Sequence, residues 1–189
     1  MPMPITIPIP DWPAIFETAI SFEEWMERGE GPTNIEAIRI IYAEQEFPEE
    51  TTRWLAALED TVHVLVIAED WCPDVIRHVP VLQKMTEHTE KLHIRYISRT
   101  DHSDIFARYL TVGGEAIPKF VYFNDQFVEC GVWGPMPHAC REMIARGRAC
   151  DDLGKAREHV FAAYYDDPGR LTVINELIQD IQTAACKHF

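Results

Sequence analysis

The chain has 189 residues, of which 17 are Lys or Arg and 31 are Asp or Glu, so its formal net charge at pH 7 is −14. Such a surface would repel a phosphate backbone or an anionic lipid leaflet, which argues against nucleic acid and membranes as partners. The hydrophobic share of 47% is enough for one packed core at this length without metal or disulfide staples.

The cysteines point to a reducing environment. They are five in number and widely spaced, at positions 72, 130, 140, 150 and 186. This pattern favours free thiols over a disulfide framework and predicts a cytoplasmic location. The first 13 residues carry repeated prolines and no basic segment, so they do not fit an export signal, and no stretch reaches the length of a membrane span.

The first third of the chain is predicted to be helical. Asp11 precedes a helix with Pro13 in its first turn. Capping boxes are predicted at Ser21–Glu24 and Thr33–Glu36, because in each a Ser or Thr is followed by Glu three residues later. A further helix is predicted over residues 49–58.

The middle of the chain alternates strands and helices. The run of β-branched residues at 62–67 is typical of a buried strand in a parallel sheet. The next elements are predicted in this order: a helix at 73–88, a strand at 92–97, a short helix at 101–110, antiparallel strands at 119–123 and 127–132, and a helix at 138–148.

Two more helices are predicted at the C-terminal end. The second is expected to begin at Asp167 and Pro168 and to carry one apolar stripe, formed by Leu171, Ile174, Ile178, Ile181 and Ala185. The element order predicts an α/β fold with a central mixed sheet covered by helices on both faces. Residues 1–59 then form an N-terminal helical extension, 60–148 the core, and 149–189 C-terminal helices that pack on the same domain.

A cysteine stands where a buried strand ends and a helix begins, in the sequence Trp71-Cys72-Pro73-Asp74-Val75. With Ile117-Pro118 before the hairpin and Gly134 after the last strand, this segment resembles the thioredoxin-like superfamily. The spacing from Cys72 to Pro118 is close to the family's spacing between its active-site cysteine and its cis proline. The motif is similar to the WCPDC of thioredoxin-related proteins, and the resemblance covers residues 60–148.

The resemblance implies a thioredoxin-like fold and a set of site residues. Cys72 would be the catalytic nucleophile, and Ile117-Pro118 would be a cis peptide bond facing it. The substrate-binding groove would be formed by Trp71, Pro73, Asp74, Ile117 and Pro118. Trp133 is a further candidate for this groove, although tryptophans more often serve in packing.

Three departures from the family pattern bear on the chemistry. Val75 replaces the resolving cysteine, so the intramolecular disulfide cannot form. Val66 occupies the position of the family's buried acid, and the acid's lysine partner falls near Tyr96. The helix N-terminus favours a Cys72 thiolate, whereas Glu69, Asp70 and Asp74 oppose it, so we expect at most a modest depression of the Cys72 pKa.

A thiol-dependent redox function remains the leading hypothesis. A single cysteine can form mixed disulfides that an external thiol releases, as monothiol glutaredoxins do, which makes the chain a candidate monothiol thiol-disulfide oxidoreductase. Its partners would be protein thiols or disulfides, with glutathione as a further candidate. The alternatives are a non-catalytic binding module for a protein partner and a structural subunit that dimerises through the additional helices. Glu69 stands where peroxidases have Thr or Ser, which disfavours peroxidase chemistry.

No cofactor or metal is expected. Asp70, Cys72 and His78 are conceivable ligands, but no recognised ligand spacing joins them. Cys130 falls in the middle of a predicted strand, away from Cys72. The sequence leaves the oligomeric state open.

Overall fold

The computed structural model describes residues 8–186. The strands in this range are β1 (Val62–Ile67), β2 (Leu92–Ile97), β3 (Lys119–Phe123) and β4 (Glu129–Trp133). The helices are α1 (Trp12–Thr18), α2 (Phe22–Arg28), α3 (Pro32–Glu44), α4 (Glu49–Ala56), α5 (Pro73–Lys84), α6 (Ser103–Phe106), α7 (His138–Ala149), α8 (Leu153–Asp166) and α9 (Leu171–Ala185). None of these helices is long and apolar enough to cross a membrane.

The four strands form one mixed sheet in the order β2-β1-β3-β4. β1 and β2 are parallel, whereas β3 runs antiparallel to both β1 and β4. All six β1 residues except His63 are buried, which fits a central strand that is covered on both faces. The predicted α/β class and mixed sheet are therefore confirmed.

Helices cover both faces of this sheet. Cross-strand partners share a face, so His63 and Phe123 lie together, and the α1 residues Phe16 and Trp12 contact them. On the opposite face Phe120 stacks on Trp133 of β4, which in turn meets α5 and α9. The chain thus has a three-layer arrangement with β1 at its centre.

The N-terminal helices are held to the sheet by specific contacts. Ile20 forms a backbone bridge with Tyr96 of β2, and Trp25 of α2 donates its indole N–H to the carbonyl of Ala68. The predicted capping box of Ser21 and Glu24 is confirmed. These contacts place α2 beside the end of β1, next to the segment that carries Cys72.

Several predicted element boundaries are wrong. α3 begins at Pro32 with Gly31 as its N-cap, because proline is preset for the first helical position; Thr33 therefore lies inside the helix and forms no capping box. β4 begins at Glu129 rather than at Phe127, whose backbone φ of 58° is incompatible with a strand.

The last helix also differs from its prediction. α9 begins at Leu171, and the carboxylate of Asp167 accepts hydrogen bonds from the backbone N–H groups of Leu171 and Thr172. The apolar face of α9 is rotated from the predicted stripe, because the buried side chains are those of Val173, Ile174, Leu177, Ile181 and Ala184. This face packs mainly on β4, whereas α7 pairs with α8.

Candidate thiol site

Cys72 is the N-cap residue of α5, immediately after the turn that follows β1. The backbone N–H groups of Asp74 and Val75 favour its thiolate and lower its pKa, as a helix N-terminus allows. On the other side, Sγ donates a hydrogen bond to the carbonyl oxygen of Ile117 at 3.4 Å. The sulfur therefore lies between the first turn of α5 and the Ile117-Pro118 segment, as the motif predicts.

The predicted depression of the Cys72 pKa is wrong. Burial raises the pKa of the Cys72 thiol above its ordinary value, and this effect outweighs the backbone N–H groups that favour the thiolate. The charge of Asp74 raises the pKa further, while Arg99 lowers it. Sequence reasoning placed the helix terminus correctly but had no means of knowing how much of the sulfur is covered.

Two of the three nearby acids are already engaged elsewhere. Glu69 accepts hydrogen bonds from the Ser98 hydroxyl and the Arg99 backbone N–H, both at 2.9 Å. Asp70 is buried and accepts a 2.8 Å hydrogen bond from the backbone N–H of Gly31. The acidic influence on Cys72 comes from Asp74 alone.

The segment opposite Cys72 contains the predicted cis peptide bond between Ile117 and Pro118, which is confirmed. Gly134 lies against it with φ of 114°, and a Cβ there would approach the Pro118 carbonyl oxygen to 2.1 Å. Only glycine fits such a contact, so Gly134 has a steric reason to stand beside the proline. Gly134 itself precedes a second cis proline, Pro135.

A buried lysine joins the loops behind this segment. Lys119 donates from Nζ to the carbonyl oxygen of Gly134 at 3.1 Å and to the hydroxyl of Thr111. Burial, assisted by the charge of Arg141, lowers the pKa of Lys119 to about 8. The two loops that flank Pro118 are therefore held to each other through one side chain.

The two candidate tryptophans have different environments. Trp71 is 54% exposed, and the guanidinium carbon of Arg99 lies 5.1 Å from its ring centroid. Trp133 is only 2% exposed, stacks on Phe120 and donates its indole N–H to Glu176 at 2.7 Å. Trp71 is therefore an exposed neighbour of Cys72, whereas Trp133 is a core residue.

A polar chain that the sequence did not reveal runs from Asp74 into the core. Tyr164 of α8 donates from its hydroxyl to Asp74 at 3.2 Å and lies 3.2 Å from Nε2 of the fully buried His78. Burial raises the pKa of Asp74 to about 6, although Tyr164 and Arg77 oppose this effect. Tyr164 lies 90 positions beyond Asp74, so no local motif could have connected them.

The positions that depart from the family pattern are apolar or neutral here. Val66 and Val75 are fully buried, and Tyr96 is buried with its hydroxyl donating to Gln83 at 2.8 Å. Within residues 8–186 no two cysteines form a disulfide: Cys140 is buried, Cys130 lies in β4, and Cys150 and Cys186 are exposed. Within residues 8–186, no three His, Cys, Asp or Glu side chains form a group that could hold a metal ion.

Comparison with known proteins agrees with this geometry. The family model described as thioredoxin matches residues 19–152, more than half of the chain. A crystal structure of a protein of unknown function from Pseudomonas aeruginosa is similar, with a TM-score of 0.69, 19% identity, and coverage of 93% of this chain and 99% of that one. An HIV epitope scaffold has a TM-score of 0.70 at 19% identity, with coverage of 90% and 97%. No curated protein matches the sequence.

Proposed function

The chain belongs to the thioredoxin family, and from this premise we propose that it exchanges thiols and disulfides through a single nucleophilic cysteine, Cys72. The observation that carries this proposal is the position of Sγ, 3.4 Å from the carbonyl oxygen that precedes Pro118, at the N-terminus of α5. Trp71, Pro73 and Asp74 flank the sulfur in sequence and would contact a substrate with Ile117 and Pro118.

The exchange has two steps. The Cys72 thiolate attacks one sulfur of a disulfide, forming a mixed disulfide and expelling the second sulfur as a thiolate, which takes up a proton. An outside thiol, in its thiolate form, then attacks the mixed disulfide and releases Cys72. The net reaction transfers one half of the disulfide to the outside thiol, without a net change in the protein.

The outside thiol is required because Val75 stands one helical turn from Cys72, where a resolving cysteine would be. Protein thiols are the expected partners, and glutathione is a second source of the releasing thiol. Five cysteines without a disulfide within residues 8–186 fit a reducing compartment, so we propose that this activity takes place in the cytoplasm.

A binding module is the second candidate function, and the chemistry of the sulfur favours it. Cys72 acts as a hydrogen-bond donor to Ile117, and its pKa is raised, so the thiol form predominates at neutral pH. In this case the exposed Trp71 and the Pro118 segment would bind a protein partner and no sulfur would react.

The test is insulin-disulfide reduction in the presence of glutathione, with intact-mass spectrometry for adducts, on the wild type, Cys72→Ser and Val75→Cys. We expect wild type to accumulate a mixed disulfide at Cys72 when glutathione is omitted. Val75→Cys should instead close an internal disulfide and turn over faster. The matched control, Cys72→Ser with Val75→Cys, should do neither.

Two outcomes would reject the thiol function. If the native wild type forms no adduct at Cys72, the binding module replaces it. If Cys72→Ser reacts as fast as wild type, another cysteine carries the reaction and the proposed nucleophile is wrong.

A further inference from the structure

A groove of about 330 Å³ lies between the first turn of α5 and the helices α7 and α8. It begins at Pro73 and Asp74 and does not include Cys72. Its wall is mostly apolar, formed by the side chains of Met136, Ile144, Leu153, Val160 and Phe161. Phe161 is 68% exposed, so a large aromatic ring stands at the groove without any part of the described chain covering it.

The charge of this groove is opposite to that of the protein. Arg141, Arg148 and Arg157 line it, and Asp74 is the one acidic residue in its lining. Asp74 already accepts a hydrogen bond from Tyr164. The whole chain carries −14, so a local excess of guanidinium groups is a departure from its surroundings rather than a reflection of composition.

The arginines have unused donors. Arg141 donates to the carbonyl oxygen of Gly134 at 3.3 Å, but its buried Nε has no acceptor among the described residues. Arg148 and Arg157 are exposed, and within residues 8–186 neither guanidinium forms a hydrogen bond or an ion pair. A planar guanidinium binds a carboxylate through two parallel hydrogen bonds, so these groups suit an anionic ligand.

We infer that this groove binds a small organic carboxylate with an apolar body. The volume falls in the range of small-molecule sites, whose walls are predominantly apolar with a few polar groups that fix the ligand. The apolar wall takes the body of the ligand, and Arg148 and Arg157 hold its carboxylate away from Asp74. Binding requires no reaction at Cys72, so this site can exist whether or not the proposed function holds.

Octanoate is the probe, and isothermal titration calorimetry of the full chain is the measurement. We expect octanoate to bind roughly tenfold more tightly than 1-octanol, which has a chain of the same length without the charge, because exposed ion pairs add only modestly to affinity. Acetate, which lacks the apolar body, should not bind measurably. The same affinities are expected in Cys72→Ser, which separates this site from the thiol reaction.

Variants locate the binding site. Replacing Arg148 and Arg157 together by Gln should reduce octanoate affinity to that of octanol, about tenfold. Arg146→Gln is the matched control, because Arg146 lies on the same helix α7 but pairs with Glu142 and does not line the groove. All these arginines are exposed, so the substitutions should not unfold the chain, which circular dichroism checks.

A steric variant gives a second test. Ala145 lines the groove and is exposed, and Ala145→Trp should fill the space and abolish binding of both octanoate and octanol. The inference is overturned if octanoate does not bind, or if it binds no more tightly than octanol. It is also overturned if either groove variant keeps the wild-type affinity for octanoate, or if Arg146→Gln loses as much affinity as the double variant.

Discussion

At the scale of single residues, the candidate site depends on a chain of three polar side chains. The His78 ring is fully buried, and burial lowers its pKa well below the ordinary value, so the imidazole is neutral. When Asp74 is ionised, Tyr164 donates to it and His78 can donate from Nε2 to the tyrosine oxygen. The reverse order would place the imidazole proton on Nδ1 of His78, which is buried and has no hydrogen-bond partner within residues 8–186. The arrangement therefore fits the ionised form of Asp74 better than the protonated form.

The raised pKa of Asp74 predicts a dependence of stability on pH. The folded protein keeps the proton on Asp74 up to a pKa of about 6, whereas the unfolded chain releases it near pH ~4. The unfolded state therefore binds fewer protons between these values, and stability falls as pH rises from about 4 to about 6. Above pH 6 the full cost of the buried charge is present.

Asp74→Asn should remove this cost and keep an acceptor for Tyr164. We expect the free energy of unfolding at pH 7 to rise by about 1 to 2 kcal/mol, allowing for solvent screening, with no gain at pH 4. Urea unfolding at both pH values measures the difference. Asp101→Asn, at an exposed position, is the control. A gain in Asp74→Asn that is equal at both pH values would contradict the explanation.

Features of the site that depend on residues close together in sequence could be predicted, whereas features that depend on contacts between distant residues could not. Cys72 at a helix start and Pro118 before a strand are visible as short motifs, and both lie as expected. The burial of the sulfur depends on how loops distant in sequence close over it. The contact of Tyr164 with Asp74 joins α8 to α5, and no spacing rule relates these helices.

At the scale of elements, periodicity predicted where most helices lie but not how each one is rotated. The predicted stripe of α9 included Leu171 and Ile178, yet Leu171 is 48% exposed and the neighbouring positions Val173 and Leu177 are buried. α9 is apolar over much of its circumference, so several stripes fit the sequence equally well. Only packing against β4 selects one of them.

The two faces of α9 can be distinguished by one kind of substitution. Leu177→Ala removes a fully buried side chain and should lower the free energy of unfolding by about 3 kcal/mol. Leu171→Ala makes the same chemical change at an exposed position and should lower it by less than ~1 kcal/mol. Urea unfolding measures both. A larger loss for Leu171→Ala than for Leu177→Ala would show that the helix is rotated toward the stripe that the sequence predicted.

At the scale of the whole molecule, the helices at both ends complete the packing of the central sheet. α9 covers β4, and Ile20 bonds to the edge of β2 through the backbone. The similar structures cover 90% or more of this chain, which is far more than residues 60–148. A fragment of residues 60–148 would contain all four described strands, but it would lack the side chains of the end helices that bury parts of the sheet.

This arrangement predicts that residues 60–148 do not fold alone, whereas residues 8–186 do. Removing α9 exposes the β4 face around Trp133 and the apolar side chains of the sheet. Each Å² of apolar surface returned to water lowers the free energy of unfolding by about 25 cal/mol. A natural domain is stable by only about 5 to 15 kcal/mol in total, so uncovering one face of the sheet is enough to unfold it. The fragment 60–148 should therefore bind the dye 8-anilinonaphthalene-1-sulfonate and unfold in urea without a cooperative transition. The free energy of unfolding of residues 8–186 should equal that of the full chain within about 1 kcal/mol. A sigmoidal urea transition for the fragment would mean that the strands and α5 form a sufficient core, and that the helices at both ends are additions to the fold.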